Sequence, residues 1–279
     1  MWPRRGEVRY LLHGAFHRLA YVETGNPAAP ALLCVHDLTR AGRDFDPLAE
    51  ALADQFHVIL PDLPGRGDSD WLPDAALYHP ATYVHALSYL LAVLGKPVAW
   101  LGTGLGGVCG MVAAAAPGNQ VTRLILNDVG PLIPASGQAR IRDSFRQQAT
   151  FYDMKALERR LRALHGGFGR LSDAQWAHLT RYSARRMADG RIGFHYDPAI
   201  ARPILDHDTT DQDLSAFWDR VRVPCLALRG ETSDMLETAT LARMQAAGAG
   251  AWVVPGAGHA PALMDAGSIA LVRAFLRGA

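Results

Sequence analysis

Lysine is nearly missing from this chain of 279 residues. Lys96 and Lys155 are the only lysines among 28 basic residues, and the arginines that make up the rest are dispersed. Against 27 acidic residues they leave a formal net charge of +1. A polyanion-binding surface needs a cationic excess, so nucleic acid is not an expected partner. Cysteine is scarce. Cys34, Cys109 and Cys225 each sit inside an apolar run, at spacings that suit neither a disulfide framework nor a metal site. They read as small buried hydrophobes, and no metal or cofactor is expected. Long apolar runs are missing too, since ALSYLLAVL and VCGMVAAAA are too short to span a bilayer. MWPRRGEVRY at the N-terminus carries charge with no apolar stretch behind it, so no secretory signal is visible. The expectation is a cytoplasmic protein that does not engage a membrane. Disorder is excluded by a hydrophobic fraction of 49%. What is plentiful is glycine, 27 residues, several in short runs where backbone freedom or close approach is useful.

The first part of the chain alternates strand-like and helix-like pieces. EVRYLL and FHRLAYVE flank His13-Gly14-Ala15 as a hairpin. ALLCVH at 31–36 is a continuous apolar run, as a strand buried on both faces requires, and HVILPDL at 57–63, PVAWLG at 97–102 and VTRLILND at 121–128 also read as strands. Helical periodicity fills 43–54, 82–94 and 105–116 between them. From 131 to 215 no strand is convincing, and helices are expected at 139–152, 154–164 and 173–187. Strands return at 224–230 and 251–256, with helices near 237–247 and 261–277. The expected fold is α/β, a mostly parallel sheet flanked by helices. One core of residues 1–130 and 216–279 carries a helical cap insertion over 131–215.

Three clusters follow strand ends, where parallel α/β sheets place their ligands. They are Leu101-Gly102-Thr103-Gly104-Leu105-Gly106-Gly107, Arg229-Gly230-Glu231-Thr232-Ser233-Asp234 and Gly256-Ala257-Gly258-His259-Ala260-Pro261. Their order resembles the α/β-hydrolase family in its capped esterase and C–C hydrolase branch. That family places a nucleophile on a G-x-S-x-G elbow, then an acid, then a histidine. Cys34-Val35-His36-Asp37 resembles the family's oxyanion loop. Pro61-Asp62-Leu63-Pro64-Gly65-Arg66-Gly67-Asp68-Ser69 is similar to its PD-x-x-G-x-G-x-S turn, and Asn127-Asp128-Val129-Gly130-Pro131 to the strand end where the cap departs. The resemblance implies hydrolysis of a small ester, lactone or C–C bond. It puts position 104 in the nucleophile's place, Asp234 as the acid and His259 as the base, with the Leu105 and Leu38 amides as oxyanion hole. Asp128 is the alternative acid.

Two positions depart from that pattern. Gly104 stands where the serine belongs and cannot attack a carbonyl. Asp37 replaces the glycine of the family's His-Gly pair, putting a carboxylate beside the oxyanion hole. The chain is therefore read as an inactivated or diverged hydrolase in which a serine at 104 restores an acyl-enzyme burst. Non-hydrolytic acid–base chemistry by His259 and Asp37, or ligand binding without turnover, are the alternatives. A further one is dinucleotide binding, because Gly102-x-Gly104-x-x-Gly107 satisfies G-x-G-x-x-G with Asp128 about 20 residues on. His36 is expected to shape its loop rather than catalyse. A small-molecule substrate is the expected partner, and monomer and homodimer are both compatible with the sequence.

Overall fold

The hairpin opens the fold. β1 (Arg4–Leu12) and β2 (Ala15–Thr24) pair across His13–Gly14, both at positive φ, the two-residue geometry that matches strand twist. The computed structural model describes residues 3–146, 150–206 and 208–278. β3 (Ala31–Val35), α1 (Asp46–Leu52), β4 (His57–Pro61), α2 (Pro80–Leu94), β5 (Val98–Thr103), α3 (Leu105–Ala115) and β6 (Val121–Asn127) follow. Every residue of β3, β4 and β5 is buried, as their unbroken apolar runs require.

Between β6 and the next core strand lie β7 (Leu132–Ile133), α4 (Ala135–Phe145), β8 (Thr150–Phe151), α5 (Met154–Leu164), α6 (Asp173–Ser183), β9 (Ala184–Arg186), β10 (Ile192–Phe194), α7 (Arg202–Leu205), β11 (Gln212–Asp213) and α8 (Ser215–Trp218). β12 (Cys225–Gly230), α9 (Thr238–Ala246), β13 (Gly250–Val254) and α10 (Ala266–Arg277) complete the core. The main sheet runs β1-β2-β4-β3-β5-β6-β12-β13, parallel except where β2 meets its neighbours.

Strand alternation divides the core in two. Leu33 and Val35 face one apolar layer with Tyr83 and Leu87 of α2 and Val108 of α3. Leu32 and Cys34 face the other, with Leu48 and Leu52 of α1 and Val272 and Leu276 of α10. A third cluster lies within the segment between β6 and β12. Leu157, Leu161, Trp176, Leu179 and Ile192 pack there with Ala260 and Met264 from beyond β13.

This segment corrects the expectation of helices alone. β8, β10 and β9 form a small sheet, and β7 pairs with β11. Strands of two or three residues are too short to display a period of two, which is why the sequence pattern hides them. The helix expected over 139–152 instead runs Ala135–Phe145; residues 147–149 fall outside the described residues, and Thr150–Phe151 is strand. α6 stops at Ser183, and Ala184–Arg186 turns extended to pair with β10. No helix among the described residues is long and apolar enough to cross a membrane.

Candidate active site

β5 delivers the chain to a sharp turn. Gly104 sits at φ 48° and ψ −114°, and α3 begins at the next residue. That φ is left-handed and favours glycine. A Cβ on Gly106 would fall on the carbonyl of Val35, and one on Gly102 on the carbonyl of Gly106. Close approach of turn, helix and β3 thus accounts for these glycines of the G-x-G-x-x-G run.

The loop after β3 faces this turn and is fixed from two sides. His36 is buried; its Nδ1–H donates to the carbonyl of Asp37 at 2.7 Å, and its Nε2 accepts from the Leu63 amide at 2.9 Å. Burial holds its pKa down at about 3, so it is neutral and shapes the loop. Arg66, wholly buried, donates Nε to the Leu38 carbonyl at 2.9 Å. The Asp37 carboxylate is thereby aimed at the elbow. Its Oδ1 accepts the Leu105 amide at 2.9 Å, and the neighbouring Leu38 amide also favours the charged carboxylate. The Leu105 amide, one of the two expected oxyanion donors, is therefore spent on Asp37. A Cβ built on Gly104 would lie well inside contact distance of Asp37 Oδ1. The two departures from the family pattern occupy one space.

His259 comes from the loop beyond β13. Its Nδ1–H donates to Asp128 Oδ2 at 2.8 Å, and Nε2 stands 3.5 Å from Asp37 Oδ2. Asp128 follows β6 at a positive φ of 58°. Its fully buried carboxylate also accepts from the Gly230 amide (3.0 Å), the Ser233 hydroxyl (2.7 Å) and the Ala260 amide (3.1 Å). Burial alone would lower the His259 pKa, but the hydrogen bonds and charges of Asp128 and Asp37 outweigh it and raise the value to about 9. Burial likewise pushes Asp37 upward. The contact with His259 and the two amides overcomes it and holds Asp37 below the usual carboxylate range. Held between the carboxyl groups of Asp128 and Asp37, the His259 ring keeps its second proton to a higher pH than a free imidazole.

Asp234 is a correction. The expected orienting acid makes no hydrogen bond to His259 and instead forms a two-pronged pair with Arg140 of α4, at 2.5 and 2.9 Å. The contact with Nδ1 goes to Asp128, because the loop after β12 brings Ser233, not Asp234, over that carboxylate. Ser233 and Arg66 carry no mark of a site role in the sequence pattern. Ser233 adjoins Asp234 in the cluster after β12, and Arg66 stands inside the glycine-rich turn after β4. Thr103 accepts from Asn127 Nδ2 at 2.9 Å and is buried beneath the elbow.

A cavity of about 1190 Å³ opens above these groups. Asp37, His259 and Asp234 line it from the core; Arg140, Arg160 and Tyr196 line it from the segment between β6 and β12. No group of three metal-ligating side chains stands together among the described residues.

The model of the alpha/beta hydrolase family matches residues 11–271. The chain is 38% identical over 291 residues to 3-hydroxybutyrate-oligomer hydrolase of Cupriavidus necator, covering 99% of each chain. It is 27% identical over 246 residues to 2-(acetamidomethylene)succinate hydrolase of Mesorhizobium japonicum, covering 83% of this chain and 82% of that one. Among solved structures, an alpha/beta hydrolase from Novosphingobium aromaticivorans superposes with a TM-score of 0.89 at 33% identity, over 99% of both chains.

Proposed function

The chain belongs to the alpha/beta hydrolase family, and from that premise we propose that it hydrolyses small hydroxy-acid esters with Asp37 and His259 as its acid–base pair. In this reading residues 131–215 are the cap, and 1–130 with 216–279 the catalytic core. The observation that carries it is the line Asp37–His259–Asp128 at the cavity, with separations of 3.5 and 2.8 Å. The substrate class is suggested by the Cupriavidus relative, whose name assigns it oligomers of 3-hydroxybutyrate.

The steps differ from those of a serine hydrolase, because Gly104 offers no hydroxyl. Asp37 takes a proton from the water that adds to the ester carbon. Protonated Asp37 accepts more weakly, so the Leu105 and Leu38 amides turn to the oxyanion developing beside them. His259 passes its Nε2 proton to the departing alkoxide while Asp128 holds the ring by Nδ1. Asp37 then returns its proton to His259. The sum is ester plus water giving acid plus alcohol.

The test is hydrolysis of the 3-hydroxybutyrate dimer and trimer, and of p-nitrophenyl butyrate, by the purified protein. Acid is released, and His259→Ala or Asp37→Asn each lowers kcat by about 10²–10⁴-fold. Wild-type protein that releases no acid from any of them overturns the reading. A second reading, ligand binding without turnover, is favoured by Asp37 occupying the Leu105 amide of the expected oxyanion hole. A hydroxy acid bound tightly alongside unhydrolysed esters would support that reading instead.

A further inference from the structure

The cations along the cavity are not equivalent. Arg140 is neutralised by Asp234, Arg185 stacks on Trp71 at 4.2 Å, and Arg186 is exposed to solvent. Arg160 of α5 has no carboxylate within ion-pair distance among the described residues. Its Nε is buried without a hydrogen-bond partner, and its other bond is a long one of 3.4 Å from a terminal nitrogen to the Ser144 carbonyl. Arg142 also has a buried, unpartnered Nε, but it stands near Asp208 (3.9 Å) and does not line the cavity. The remaining cavity carboxylates are committed elsewhere. Asp37 faces His259, Asp234 holds Arg140, and the largely exposed Asp143 lies 3.5 Å from Arg146.

A partly buried guanidinium with idle donors is costly unless an anion meets it. Its planar fork matches carboxylate or phosphate, and of these a hydroxy-acid ester carries the carboxylate. Arg160 lines the same cavity as Asp37 and His259, so such an anion would belong to the same molecule that offers its ester to His259. We propose that Arg160 binds a carboxylate carried by the substrate, so that the site selects esters ending in a free acid over neutral ones. This rests on the hydrolase reading of the cavity and adds the feature that selects within that class.

The test compares the 3-hydroxybutyrate dimer with its methyl ester. In wild type, kcat/KM favours the free acid by about tenfold or more, the scale of a charged hydrogen bond. In Arg160→Met that preference falls to about one, chiefly through KM; in Arg160→Lys, which keeps a point charge without the fork, it is intermediate. Arg159→Met, on an exposed neighbour, keeps the preference. A wild type that does not discriminate, or a preference that survives Arg160→Met, overturns the proposal. Failure of the hydrolase reading is seen separately, as no turnover of either compound. Calorimetric titration with 3-hydroxybutyrate then decides the carboxylate site, binding lost in Arg160→Met supporting it and binding retained contradicting it.

Discussion

At position 104 the sequence shows a missing side chain and the structure shows an occupied space. Gly104 and Asp37 stand out in the sequence as two separate departures, because nothing in their spacing says that the two loops touch. The collision between a Cβ at 104 and Asp37 Oδ1 makes them one feature. Gly104→Ser alone is therefore expected to give no acyl-enzyme burst with p-nitrophenyl butyrate, contrary to the expectation from sequence. It should also lose about 1–3 kcal/mol of stability, since the new side chain needs both a left-handed φ and room that Asp37 holds. Asp37→Gly combined with Gly104→Ser frees both the space and the Leu105 amide, and a burst is expected there. Stopped-flow measurement on the two variants checks this; a burst from the single variant would show that Asp37 readily moves aside. The choice between Asp128 and Asp234 was open for a related reason. Both follow core strands, and only the positive φ at Asp128 and the placement of Ser233 decide which carboxylate reaches the imidazole.

Among the elements, the core was readable because β3 to β6 are strongly apolar stretches separated by helical periodicity and by glycine and proline. The segment between β6 and β12 was readable only as helices, since its strands are too short to carry a pattern. One of the contacts that tie that segment to the core is polar and has no sequence periodicity at all. Tyr78, in the loop before α2, donates its hydroxyl to Asp197 Oδ2 at 2.5 Å and accepts the Leu72 amide at 2.7 Å. Asp197 in turn accepts the Ala199 amide with Oδ1 at 2.9 Å. Tyr78→Phe strands a buried carboxylate oxygen and a buried amide together, and a loss of about 1–3 kcal/mol is expected. Denaturant unfolding checks it; an unchanged midpoint would mean that the contact contributes nothing net.

Taken as a whole, the molecule holds a near-zero net charge yet concentrates opposed charges at one point. His259 has its pKa raised from 6.5 to about 9, so the stability gained from its pairing is complete below pH 6.5 and is lost as pH rises through 9. His36 has the opposite sign. Held neutral down to about pH 3, it makes the unfolded state bind more protons below pH 6.5, and stability falls as the medium is acidified. Thermal unfolding across pH should thus show a maximum near neutrality with losses on both sides. A stability that keeps rising above pH 9 would contradict the His259 pairing.

The pH–rate profile of hydroxy-acid ester hydrolysis tests the central claim, that a charged His259 acts with Asp37, most directly. A neutral histidine serving a serine requires activity to rise with pH through about 7. The imidazolium–carboxylate pair predicts the reverse, a plateau across neutral pH and a fall with an apparent pKa near 9. In Asp128→Asn, which removes one of the two charges, that fall should move to lower pH. A rate that climbs through pH 7 and stays high above 9 would contradict the account.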